Sequence, residues 1–575
     1  MVDGALCVRV LSIGPRALRR EAKICRNTHL AILELEVAYS LLLDSMFSPF
    51  LRSNALRMAA RGVAASFSAG YCAFGDEQGA PGVAGEAYPT YSRADIKARC
   101  GGASTWVTYK DGVYDITEFI NAHPGGAQKI KLAAGGSVEP FWRIYRQHLE
   151  QQAGVMDLLA PMRVGTLSAE DYASETCAAK TVDADDPYGD EPERHPALIV
   201  HGATPMNAES PPALLGDTYL TPNDLWYVRN HHPVPRLKGD AHEVALALST
   251  SPERGASLAV GDLKSKFPRT EVTATMQCSG NRRGHMNQYG TTSGTAWGCG
   301  AASTATWAGV PLRDLVGETL NLGAAPLAAA KKLGLRHAIF EAADDMQASI
   351  PLEKALGELG DVLVAYEMNG APIPRDHGGP VRVVVPGYAG VRNVKWVNRI
   401  VLSADTAVGA WERGMNYKAM PSHWKSKADL KGVDFAKLPS IHELPTQCAF
   451  SAPAAGDAVD SDDESFEARG WALGSAGRAV HRVEVSADGG ASWTEASLDR
   501  GTDQPYGRAW AWTTWSCDLP IPAGPEPLTL LARAADLGGG AMPRTPEDVW
   551  NIRGLNNNSW HTVTLGRTVT AEEEE

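Results

Sequence analysis

The sequence predicts a multidomain α+β protein, and three observations carry that prediction. At 575 residues the chain is too long for one hydrophobic core, so about three or four domains are expected. Residues 168–195 form an acidic stretch punctuated by proline and glycine, with little to bury, which separates a small module from a large central region. Beyond about residue 405 the mixed pattern gives way to alternating apolar residues and Gly-rich turns, as in an all-β unit. The formal net charge of −13 argues against nucleic acid or an anionic membrane surface as a partner and suits a basic protein. The nine cysteines are odd in number and include no CxxC pair, so neither a disulfide framework nor a zinc site is expected. Nothing after residue 75 approaches the roughly eighteen apolar residues of a membrane span.

Residues 1–87 read as a leader. Ile24–Leu43 has helical apolar spacing, and from Met46 the chain is rich in Arg, Ser and Ala with no acid until Asp76. That composition predicts an organellar transit segment starting at Met46, with residues 1–45 an upstream extension.

Residues 88–167 predict a small domain. Ser92 is placed to cap a helix, and Trp106–Tyr109, Asp111-Gly112 and Val113–Ile116 predict a hairpin. Phe119-Ile-Asn-Ala-His123-Pro124-Gly125-Gly126 follows. Pro-Gly-Gly forces a turn that fixes the His123 imidazole toward a pocket and leaves room for a flat cofactor edge. This string resembles the haem-binding motif of cytochrome b5, and Leu132–Trp142 is similar to the form fused to sulfite oxidases. The resemblance implies haem b with His123 as one axial ligand and His148, on a helix at the family's approximate spacing, as the other.

In residues 196–405 a β-branched run (Val272, Thr273, Thr275) ends at Cys278, followed by Ser-Gly-Asn, Arg282 and Arg283. A thiolate there suits a soft or high-valent metal, and arginines suit an oxyanion. The string Ala274–Met286 resembles the signature of the sulfite oxidase family of molybdenum enzymes. Thr221–Pro235, Trp297–Leu312, Phe340–Asp344, Ala365–Gly370 and Pro374–Trp396 resemble further family segments in family order. Residues 406–567 alternate around Asp488-Gly489-Gly490, with Trp510, Trp512 and Trp515 spaced for one strand face. They read as an immunoglobulin-like sandwich and resemble the family's dimerisation domain. Residues 568–575 form an acidic tail.

The resemblance implies a Mo-molybdopterin cofactor with Cys278 as the protein's ligand. Tyr227, Val228, Arg229, Asn230, His231, Asp344, His377, Arg382, Asn393, Val394 and Lys395 would bind the pterin. Arg229, Arg283 and Arg553 would hold the substrate, with Trp297 and Tyr366 completing the pocket. The implied reaction takes sulfite to sulfate and passes electrons singly through the haem to cytochrome c. A homodimer in the mitochondrial intermembrane space is implied, without membrane insertion. Two alternatives stay open. An assimilatory nitrate reductase-like enzyme would carry its b5 module after the molybdenum region rather than before it. A non-catalytic haem or molybdopterin carrier would need no arginine pocket. Gly284-His285 and Cys299 depart from the family's usual forms.

Overall fold

The structure is a computed structural model, and it describes residues 88–100, 104–145, 147–176 and 186–568. The leader expected over 1–87 and the tail from residue 569 lie outside the described residues.

The first region is a four-stranded sheet, β1 (Thr90–Tyr91), β2 (Trp106–Tyr109), β3 (Gly112–Asp115) and β4 (Arg163–Leu167), in the order β1-β4-β3-β2. Ser92 caps the helix Arg93–Arg99: its Oγ accepts from Asp95 N at 3.2 Å while the Asp95 carboxylate accepts from Ser92 N at 2.9 Å. The β2–β3 hairpin turns one position earlier than Asp111-Gly112, at Lys110-Asp111, with Lys110 at φ 51°. Gly112 itself is in the strand, because a Cβ there would lie 2.5 Å from the Tyr114 hydroxyl. Short helices between β3 and β4 close a core of Val107, Tyr114, Ile116, Phe141 and Trp142.

The described ends of the stretch 168–195 are folded or packed rather than extended. Ala169–Thr176 is helical, capped through Ser168 and Asp171. Residues 186–195 pack onto the central region because their carboxylates find arginines: Asp190 pairs with Arg236 and Arg375, and Glu191 with Arg194, which also reaches Asp376 at 2.8 Å. Residues 177–185 lie outside the described residues.

The central region holds three sheets. β5 (Ile199–Ala203), β6 (Met206–Glu209) and β7 (Val228–Arg229) form a small one. A second contains β8 (Glu243–Leu248), β9 (Ser251–Ala259), β12 (His337–Ala342), β13 (Gln347–Pro351) and β17 (Val397–Ser403) in the order β13-β12-β17-β8-β9. The third runs β10 (Thr270–Gln277), β11 (Ala302–Pro311), β14 (Leu363–Met368) and β15 (Ala371–Pro372), with β16 (Arg382–Val384) also on β14. The run Val381–Val385 is the buried strand that its composition predicts, with Leu363 opposite Val384. Val244, Leu246, Phe340, Val364, Val383 and Ile400 fill the core between these sheets and their helices.

The C-terminal region is β-rich, with a four-stranded and a five-stranded sheet on a shared core of Phe450, Val483, Val485, Trp515, Leu530 and Leu565. The three tryptophans do not share a strand face. Trp515 enters this core, Trp512 packs on Trp471 with ring centres 6.1 Å apart, and Trp510 joins the central region's core. The strand starts only at Thr513, and the segment before it docks on β10: Thr275 N donates to Trp510 O at 3.0 Å and Trp512 N to Thr275 Oγ1 at 2.8 Å.

Candidate cofactor and substrate sites

That docking fixes the strand that delivers Cys278. One residue past β10, Cys278 N donates to Ala301 O at 3.0 Å, and Gly280 N points at its Sγ at 3.4 Å. The turn then passes through Arg282 in the left-handed region at φ 61°, a strained conformation for a side chain. Arg282 is held there by its own guanidinium, which donates to Ser559 O at 2.7 Å and Trp560 O at 2.9 Å of the C-terminal region. Arg282 is therefore a clamp between regions, and Arg283 is the arginine beside the thiol.

Cys278 lines a cavity together with Tyr227, Arg229, His231, Asp344, His377, Arg382, Asn393, Val394, Lys395 and Tyr417. Most of the residues proposed for the pterin thus share one wall. Val228 is buried in β7 opposite Ala208 and contributes backbone rather than lining. Asn230 lies behind the wall, donating to Asp376 Oδ1 at 3.0 Å. Asn393 braces the wall, accepting from Val385 N at 2.6 Å and donating to Tyr388 O and Ala389 O.

The cavity is strongly cationic. Arg382 donates to His377 O at 2.7 Å and Asn393 O at 2.8 Å, and its buried Nε has no partner. Lys395 meets Asp376 O at 2.8 Å, Arg229 O at 3.3 Å and the Asn230 amide oxygen. Among the described residues neither cation has a carboxylate within 4.0 Å. Burial and the neighbouring charge of Arg382 push the Lys395 ammonium down to about 7, and burial pushes Arg382 to about 10 and His377 to about 4. Two desolvated cations in no direct ion pair, with Asp376 and Asp344 acting on Lys395 only from a distance, an orphaned guanidinium nitrogen and a thiol in one cavity fit a phosphate-bearing cofactor that takes a soft protein ligand.

Arg229 lines this same cavity, while Arg283 and Arg553 do not line it but lie close enough for their charges to act on the Tyr417 phenol, as Arg229 does. Arg229 donates to Asn207 Oδ1 at 2.8 Å. Arg283 donates to Thr295 O, Arg553 O and Gly554 O at 2.6–3.2 Å, and lies where Gly280, Gly294 and Gly554 lack a Cβ. Arg553 reaches across from the C-terminal region to Ser293 Oγ and to Asn416 Oδ1 at 2.8 Å. Every partner is neutral, and among the described residues none of the three has a carboxylate within 4.0 Å.

Two expected members are elsewhere. Tyr366 is buried in the central core with the Lys264 ammonium over its ring at 5.7 Å, and does not line the cavity. Trp297 is fully buried beneath the cysteine turn, edge-on to His201, and supports Gly284 through its carbonyl at 3.0 Å. Strand alternation turns Tyr366 inward, and the Arg283 turn covers Trp297. Besides Tyr227, the cavity presents the phenol of Tyr417, which lies 3.4 Å from His231 Nε2 and whose charged form is disfavoured by burial. Tyr417 falls in the region read as all-β from residue 406. The segment instead wraps back on the central region, anchored by the buried Arg392–Glu412 ion pair and by Trp411 against His231 at 4.2 Å. The cue available in sequence was a Trp411…Tyr417 aromatic pair in a stretch with no alternation.

In the first region the rings of His123 and His148 lie 6.2 Å apart, centre to centre, and within 5° of parallel. His123 Nδ1 donates to Gly126 O at 3.2 Å and His148 Nδ1 to Tyr145 O at 3.0 Å. Both carbonyls can only accept, so each Nε2 is left as a lone-pair donor. Metal–imidazole bonds of about 2 Å on each side, added to the ring radii, need about 6 Å between ring centres. That spacing would let the two histidines hold a haem iron between them, and Trp142, parallel to His148 at 5.7 Å, lies beside the pair.

A haem-holding module fused to a thiol-bearing, cation-lined cavity defines a molybdopterin oxidoreductase with a cytochrome b5-type relay. Family profiles agree: the cytochrome b5-like haem/steroid binding domain matches residues 92–168, the oxidoreductase molybdopterin binding domain 231–411, and the Mo-co oxidoreductase dimerisation domain 438–568. The chain is 41% identical to the mitochondrial sulfite oxidase of Homo sapiens over 84% of its own length and 85% of that protein's. It is 40% identical to the sulfite oxidase of Gallus gallus, over 82% and 99% respectively. A nitrate reductase of Hordeum vulgare is 33% identical over 64% of this chain but only 41% of its own length. The sulfane dehydrogenase SoxCD of Paracoccus pantotrophus, 24% identical, shares the fold with a TM-score of 0.50 over 63% of this chain and 84% of that one. The chain belongs to the sulfite oxidase family.

Proposed function

We infer that the protein oxidises sulfite to sulfate and passes the two electrons singly through a bis-histidine haem to an external acceptor. One observation carries this reading: three guanidinium groups without carboxylate partners, Arg229, Arg283 and Arg553, all act electrostatically on the Tyr417 phenol, which shares a cavity with the Cys278 thiol. Such a site suits a small dianion, because guanidinium groups keep their charge at any working pH and their forked donors match oxygen pairs.

Bound molybdenum–pterin would supply the oxygen-atom transfer and two-electron chemistry, and bound haem the one-electron relay. The protein's residues do the rest. Arg229, Arg283 and Arg553 bind and orient the dianion. Tyr417 can turn its hydroxyl from His231 Nε2 to a substrate oxygen and stays protonated while doing so. Cys278, held by Gly280 N, is the thiolate ligand. Arg382 and Lys395 would neutralise the cofactor's phosphate, and His123 and His148 would hold the haem iron.

The haem module docks through Asp217, which takes Lys129 at 2.8 Å, the Tyr145 hydroxyl at 3.0 Å and Arg469 at 3.2 Å. Cytochrome c suits the acceptor role, since a −13 chain attracts a basic carrier. We read the two-sheet C-terminal region as an immunoglobulin-like sandwich through which two copies pair, as its profile's name indicates. The names of several relatives give mitochondria, and we place this chain in the intermembrane space. The b5 profile precedes the molybdopterin profile, which favours sulfite oxidation over nitrate reduction.

Replacing Cys278 by serine tests the assignment. Haem spectrum and thermal midpoint should hold while sulfite turnover is lost, and retained turnover would remove the thiol from the chemistry.

A further inference from the structure

A second cavity, of about 660 Å³, lies between the central and C-terminal regions and has no part in the chemistry above. It is walled by Lys354 from the helix Leu352–Leu356, the turn Pro386–Tyr388, Arg478 and the segment Tyr506–Trp510. The Lys354 ammonium lies 4.0 Å from the ring centre of Trp510 and 5.3 Å from that of Tyr388. The acids nearby are engaged or remote. Asp361 accepts from Trp510 Nε1 at 2.8 Å and faces Arg508 at 3.4 Å, and Glu443 lines the cavity from an exposed position, farther than 4.0 Å from either cation. Among the described residues neither Lys354 nor Arg478 has a carboxylate within 4.0 Å. Burial pushes Lys354 down to about 7 against the opposing pull of Asp361 and Glu443, as expected of a cation still lacking its anion.

Two unmatched cations in an aromatic-walled cleft ask for negative charge attached to a flat apolar body. The rim supplies surface for that body: Tyr506 is 79% and Leu359 57% exposed. We propose that this cavity binds a small aromatic anion, a planar ring carrying a phosphate, sulfonate or carboxylate, with its charge on Lys354 and Arg478 and its ring against Trp510 and Tyr506. The site is coupled to the cofactor cavity by one hydrogen bond. Tyr388, in its wall, accepts through its carbonyl from Asn393 Nδ2 at 3.2 Å, and Asn393 lines the cofactor cavity.

Calorimetric titration of the full-length holoenzyme with phenyl phosphate, and separately with inorganic phosphate, tests this. Phenyl phosphate should give a saturable event that Lys354→Gln and Arg478→Gln each weaken about tenfold or more, the loss expected of one charge-assisted contact. Tyr506→Ala, at a position too exposed to unfold the protein, should weaken it several-fold. Sulfite kcat/KM measured without the probe should be unchanged in all three variants, and inorganic phosphate should bind more weakly. No saturable event, an event insensitive to all three substitutions, or equal affinity for both phosphates would overturn the proposal.

Discussion

Arg553→Met is the sharpest probe of the substrate site, because Arg553 comes from the C-terminal region and has only neutral partners, Ser293 and Asn416. Its removal breaks no ion pair among the described residues, and the backbone carbonyl that accepts from Arg283 at 3.1 Å stays in place. Stability should therefore change little. On the proposed reading the dianion, however, loses one of three cations, a partly buried one. A hydrogen bond to a charged group contributes about 1.5–3 kcal/mol, which converts to roughly 10- to 150-fold in kcat/KM. Most of the loss should appear in KM, since the contact exists before any oxygen moves. Arg553→Lys should fall between, keeping the charge without the fork. The assay is steady-state sulfite oxidation with an artificial acceptor that bypasses the haem, alongside a thermal melt. An unchanged kcat/KM for the Met variant, with a normal melt, would put Arg553 outside the site.

Gly125→Ala should cut haem content, because the new Cβ would lie 2.7 Å from His123 Cε1 and push the imidazole off its axis; full haem by pyridine haemochromogen would contradict this. Stability should fall as pH drops from about 6.5 towards about 4. Burial holds His285 and His442 to about 4, while an unfolded histidine titrates near about 6.5. Between those values only the unfolded chain takes up the protons, so their contribution is complete above the unfolded pKa and lost as pH falls. The thermal midpoint should drop over that range, less so in His442→Asn, and a flat profile would refute the reasoning.

Much of this was legible in sequence because the chemistry is local. Cys278 and its turn, His123-Pro-Gly-Gly and the Val381–Val385 strand each declare themselves within a dozen residues. What was not legible depends on tertiary wrapping. Tyr366 carries the right functional group but strand alternation faces it into the core, whereas Tyr417 reaches the cavity because the Arg392–Glu412 pair folds its segment back. Arg282 and Arg283 look equivalent in sequence and both donate to C-terminal carbonyls, and only their surroundings tell them apart: Arg283 lies beside Cys278, Arg282 beside Cys448 and Cys299. The acidic stretch 168–195 reads as a tether until Arg236, Arg375 and Arg194 supply partners for its carboxylates.

The central claim is that electrons taken from sulfite at the Cys278 cavity arrive at the iron between His123 and His148. One visible spectrum of purified protein carrying stoichiometric molybdenum and haem, before and after anaerobic sulfite, tests it directly. The claim predicts a b-type haem that becomes reduced on sulfite addition. A haem that stays oxidised with both metals in place would contradict it.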